Sequence, residues 1–265
     1  MQRQSMQRRA WIHAAAPMIT GAMCLMLRWL QYINVFDEET GLPNASVLSR
    51  LVTIAFVLSA LVLIGLSQSL RRFYTPYDPD EAFDAPPKLL IGVLGAAAMV
   101  SAVGAVALYF LGNDLLLKLT ALLALLSVPA MMLYPILSRW GFLGALMGLV
   151  PIAFFGWWLV IAYRENAPDP VLWLYAPQIL SIAALLLATY RVTAYIYYRA
   201  KPVAAIRACS LAALFSVSTL MDEHIGMGRF ILAGWAFAMM AIIWLLVCNM
   251  QPPEVHVDAE EGIYG

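Results

Sequence analysis

Between Leu89 and Tyr163 the chain carries only three charged residues, Asp114, Lys118 and Arg139. A helix needs about 20 mostly apolar residues to cross the hydrocarbon core of a bilayer. This stretch divides into three such runs, Leu89 to Leu111, Leu115 to Leu137 and Gly141 to Tyr163, and Gly112-Asn113-Asp114 alone turns the first into the second. Flanking runs of the same kind are Trp11 to Asn34, Val47 to Leu70, Val171 to Tyr198, Val203 to Met221 and Phe230 to Met250. The sequence therefore predicts an all-α polytopic bundle of eight transmembrane helices. It divides into a short N-terminus (1–10), a membrane domain (11–250) and an acidic tail (251–265) that holds Glu254, Asp258, Glu260 and Glu261. Composition agrees: 63% of the 265 residues are hydrophobic and 12% charged, too apolar for one soluble core. The formal net charge is zero, which gives no global case for nucleic acid as a partner. The lipid bilayer is the expected partner.

Arg3, Arg8 and Arg9 ahead of an apolar run resemble a secretory signal, but Ala14-Ala15-Ala16 precedes most of that run. The segment reads as an uncleaved first span. Cytoplasmic loops collect Lys and Arg. Placing the N-terminus inside puts 11 of the 16 basic residues on that side, which predicts both termini in the cytoplasm. Trp11, Trp29, Trp140, Trp157, Trp158 and Trp173 fall near predicted span ends, where amphipathic rings prefer the interface. The loop Arg71 to Lys88 contains Pro76, Pro79, Pro86 and Pro87, which argue against a helix and for an extended strap or a segment that docks a protein partner.

Polar residues inside spans are the candidate site. His13, Pro17, Thr20, Cys24, Arg28 and Gln31 recur at spacings of three and four on one face of the first helix. Arg28 either faces a cavity that binds an anionic group or, with better support, snorkels and pairs with Asp37 or Glu38 just above it. Cys209, Ala212, Ser216, Thr219 and Glu223 form a second stripe, and Gln178, Ser181, Ala184, Ala188 and Arg191 a third. The stripes read as a polar track between three helices or, with better support, as close-packing faces of small residues; the Gly144/Gly148 pair reads the same way. The ligand-binding candidates are Arg28, Gln31, Asp37, Ser216, Thr219 and Glu223. Asp37 to Glu39 could meet Asp222-Glu223-His224 in an acidic rim, and Asp114 is expected to pair with Lys118 four residues on. No catalytic pair, metal-ligand set or cofactor motif is visible, and the three cysteines lie singly in apolar runs.

Arg28-Trp29, the run Phe36-Asp37-Glu38-Glu39-Thr40-Gly41-Leu42 and Arg71-Arg72 opening an aromatic, acidic and proline-rich loop together resemble a group of uncharacterised polytopic membrane proteins of anaerobic Gram-positive bacteria. The resemblance covers the first third of the chain and implies a bacterial plasma membrane and no particular activity. Three classes of function follow: small-molecule binding or transport, alone or as the membrane component of a transporter; a structural or regulatory partner protein; and, last, a membrane-embedded enzyme.

Overall fold

The computed structural model describes residues 2–35, 47–74, 76, 78–84, 88–166, 172–222 and 225–251. Among the described residues there is no strand. The long helices are α1 (Gln2–Val35), α2 (Val47–Ser69), α4 (Lys88–Leu111), α5 (Leu115–Leu133), α6 (Gly141–Asn166), α7 (Leu172–Ile196), α8 (Pro202–Ser218) and α9 (Gly228–Cys248), with a one-turn α3 (Pro79–Ala82). Each expected apolar run is a helix, although the ends differ. The first helix begins at Gln2 instead of Trp11, so Arg8 and Arg9 belong to it. The run expected to reach Leu137 tightens at Tyr134 into a 3-10 turn that lasts to Trp140, and Gly141, at φ 55°, closes it. Such a positive φ favours glycine. Among the described residues six helical stretches are long and apolar enough to cross a membrane, and one of them, 115–166, contains both α5 and α6. The α8 helix, at 17 residues, falls short of that length.

The helix α9 occupies the centre, packed on α1, α4 and α8. Around it α4, α5, α6, α7 and α8 each pack on the next, while α2 leans on α1 and α8 from outside. Without a hydrophobic force between helices in lipid, close approach depends on small residues. The α4–α9 contact shows this most plainly. A Cβ on Gly104 would stand 2.7 Å from the Phe230 Cβ, and one on Gly234 would strike the Ala97 carbonyl and the Ser101 hydroxyl. Gly21 brings α1 against Val217 and the Leu214 carbonyl of α8 in the same manner. The Gly144/Gly148 pair is divided in purpose. Gly144 makes room for the Leu137 carbonyl of the 3-10 turn, and Gly148 lets Thr193 of α7 donate to its own carbonyl at 2.9 Å.

At the end of the bundle where α1 begins, the described residues of 70–84 lie across the helix ends as a strap. Its own Leu70, Pro76, Pro79, Ala82 and Phe83 are buried. Tyr74 and Gln251 exchange backbone hydrogen bonds of 3.0 and 2.9 Å, Asn249 donates to the carbonyls of Ala82 and Asp84, and Arg9 stands over the Phe73 ring. The prolines do not exclude a helix altogether. Pro79 opens α3 at a position whose N–H has no partner to lose, and the Asp78 side chain caps it by accepting from the Asp80 N–H.

Two further expectations are corrected. Trp158 turns into the protein: it is buried against Phe154 and Phe155, and Phe155 in turn meets Trp235, and Trp157 donates inward to Thr120. Asp114 does not pair with Lys118. The only ion pairs among the described residues are Arg28–Asp222 and Arg139–Asp80, and Asp114 instead caps α5 by accepting from the Leu116 N–H. At a helix start the exposed backbone donors compete well for a carboxylate.

Candidate functional site

The polar stripe of α1 faces inward. His13, Pro17, Cys24, Arg28 and Gln31 are buried, while Ile12, Ile19, Met23, Met26 and Leu30 between them are exposed. In lipid this inversion is favourable, since exposed apolar side chains meet hydrocarbon and polar ones find partners inside. The α8 stripe faces the same region: Cys209, Ala212, Ser216 and Thr219 are all buried, as are Gln178 and Ser181 of α7. The helix pairs α1–α8 and α7–α8 are packed neighbours, so α8 lies between the other two stripes.

At the end of the bundle away from the strap, Arg28 donates from Nε to Asp222 Oδ1 at 2.6 Å, with both side chains about nine-tenths buried. A pair so buried loses much hydration, and it is held only when attraction and further hydrogen bonds repay that loss. Asp222 reaches the site because α8 stops at Ser218. The chain then turns through Thr219 to Met221, and the Asp222 N–H donates back to the Thr219 carbonyl. Extending helical spacing from Ser216 and Thr219 leads to Glu223; the turn delivers its neighbour Asp222 to Arg28 instead. Glu223 lies outside the described residues, as do Asp37, Glu38 and Glu39. Arg28 thus has a partner that sequence spacing did not single out. The available signal was the pair of glycines, Gly226 and Gly228, marking a turn close after Asp222.

Around the pair, the Ser181 and Thr219 hydroxyls share a hydrogen bond of 3.2 Å, and Thr219 also donates to the Ser216 carbonyl. Gln31 donates from Nε2 to the Ser49 hydroxyl of α2 at 3.3 Å. Gln31 Oε1, Gln178 Oε1 and Ser216 Oγ are buried without a hydrogen-bond partner.

The chain matches no protein-family model, no curated protein and no solved structure.

Arg28 and Gln31 line a cavity of about 240 Å³ together with Val52, Thr53, Phe56, Val57 and Ala60 of α2, Ala176, Pro177 and Leu180 of α7, and Phe215 of α8. Phe56 and Phe215 stack there with ring centroids 6.2 Å apart. Of the six candidate residues, Arg28 and Gln31 line the cavity; Ser216 and Thr219 are buried on α8 and its following turn. Sequence reasoning missed α2 entirely as a wall, because its residues here are ordinary span residues. Chemically the arrangement offers a charge-compensated pair, one amide with a free acceptor and apolar walls. That set suits binding. Among the described residues no group of three His, Cys, Asp or Glu is arranged to hold a metal ion.

Proposed function

We propose that this chain is a multi-pass protein of the bacterial plasma membrane, with eight spans and both termini in the cytoplasm, that binds a small molecule at the Arg28–Gln31 cavity as a carrier or as the membrane component of a transporter. The apolar helices long enough to span a membrane support the setting. The observation that carries the binding reading is a surplus of hydrogen-bond acceptors at the wall of a cavity. Unpaired polar atoms also occur on packing faces, as at Ser101 between α4 and α9, but there no open space adjoins them. Here the Gln31 acceptor, in the cavity wall, has no partner, and the Gln178 acceptor beside the lining Pro177 has none either. A ligand that donates a hydrogen bond answers that surplus.

The test is a thermal-stability screen of the purified protein against small alcohols, amides, amines, carboxylates and divalent cations. At least one class should raise the melting temperature of the wild type and fail to raise that of Gln31→Leu. If no class stabilises the wild type, the cavity is not a binding site.

A second reading, a structural or regulatory partner protein, draws on the strap. Its apolar residues are docked on the bundle while Arg71, Arg72, Asp78, Asp80, Glu81 and Asp84 are exposed. Cross-linking in membranes from Arg72 and Glu81 positions tests it: one repeatedly captured protein partner favours this reading.

A further inference from the structure

We infer that the Arg28–Gln31 cavity takes an uncharged, single-chain amphiphile with a hydroxyl or amide head, admitted sideways from the bilayer through the gap between α2 and α7. This rests on the reading of that cavity as a binding site.

The route follows from the packing. The helices α2 and α7 both pack on α8, and α8 contributes Phe215 to the cavity that α2 and α7 both line. The rim is open: Val57 of α2 is 53% exposed and Leu180 of α7 is 49% exposed. Both are apolar residues within helices whose outer faces suit lipid, so the mouth opens toward hydrocarbon. The polarity of the cavity runs along the bundle. Gln31 reaches Ser49 near the start of α2, one helical turn from the bundle end, whereas the α2 wall continues from Val52 to Ala60, about 12 Å deeper at 1.5 Å per residue. Polar groups lie toward the surface and apolar ones toward the middle, the same gradient that an amphiphile has in one leaflet.

The head group is set by charge and hydrogen bonding. Arg28 is already compensated by Asp222, so a charged head would bring an unbalanced charge into a buried site. The Gln31 Oε1 acceptor calls for a donor. A neutral hydroxyl or amide supplies one. The size fits one end of such a molecule: about 240 Å³ is below the roughly 300–1,000 Å³ of clefts that enclose a drug-sized ligand, so the remainder of the chain stays in lipid.

The experiment uses the full chain in phosphatidylcholine nanodiscs with two photoactivatable probes, a diazirine-bearing hexadecanol and the matching diazirine hydrocarbon without the hydroxyl. Labelled peptides are mapped by mass spectrometry. The alcohol should label the segments 52–60 and 176–180, and the hydrocarbon should label them about fivefold less, as loss of one buried hydrogen bond gives. Gln31→Leu should reduce labelling by the alcohol by a similar factor. Val57→Trp, at an exposed position that spares folding, should block it by filling the mouth. Equal labelling by both probes marks ordinary surrounding lipid and overturns the inference. Absence of labelling by the alcohol, while a water-soluble compound still stabilises wild type but not Gln31→Leu, overturns entry from the bilayer and leaves the binding site standing. Absence of both overturns both.

Discussion

The helices α2 and α9 are nearly equal in length and hydropathy, yet 78% of the most apolar stretch of α9 is buried in the bundle against 11% for α2. In a soluble protein two such segments would both be core. In a membrane, hydropathy selects what may enter lipid and is silent about what faces protein. The difference lies in where small residues meet a partner. Gly234 of α9 presses on the backbone of α4, whereas Gly65 of α2 has open space where a side chain would go. The same residue type is a contact in one helix and a blank in the other. The crowded helix holds the bundle together; the sparsely packed one walls the cavity.

The comparison breaks hardest at Gly234. Gly234→Leu should yield little folded protein, since a side chain there strikes the Ala97 carbonyl and α4 must move; the penalty exceeds the ~1–3 kcal/mol of ordinary overpacking. Size-exclusion profiles after mild detergent extraction check this, and a monodisperse Gly234→Leu would show that α4 and α9 are not tightly joined. Next comes the ion pair. Arg28→Ala or Asp222→Ala alone should cost about 3–5 kcal/mol, because the surviving charge stays buried, while Arg28→Met with Asp222→Leu should recover most of it. Unfolding in graded denaturing detergent measures the cycle, and additive single effects would place the two residues apart. The strap is smaller in effect. Asn249→Ala removes the hydrogen bonds to Ala82 and Asp84, about 1 kcal/mol in all, and should speed proteolysis within 71–84 without lowering the thermal midpoint by more than a few degrees. Smallest is Gly65→Ala, which should be neutral or stabilise by up to about 1 kcal/mol through helix propensity, read as an unchanged or slightly raised midpoint.

Much of this fold was legible because helix-forming apolar runs are long and their interruptions are few. The turn at Gly112-Asn113-Asp114 and the stripe of α1 could be located by counting residues, and the stripe faces inward as lipid requires. What could not be read was any feature that depends on a neighbour distant in sequence. Asp222 became the partner of Arg28, 194 positions away, because α8 ends at Ser218 and turns. Trp158 is buried because Phe154 and Phe155 stack on it and Gly228, far along the sequence at the start of α9, leaves room for it. The lining from α2 was invisible since Val52, Phe56 and Val57 carry no polar signal. Helical periodicity specifies a face; it does not say which helix that face will meet.

The position of α9 has a consequence for how the molecule is made. The helices against which it packs, α1, α4 and α8, all leave the ribosome before it does. Until α9 arrives, Gly104 and Ala97 of α4 can face only lipid or transient neighbours. Insertion and assembly are therefore separated in time. The earlier helices enter the membrane as a loose ring, and a late central segment locks it. A quality-control protease that samples unpaired small-residue faces would find its substrate in that interval, and slowing translation ahead of Gly228 would lengthen it.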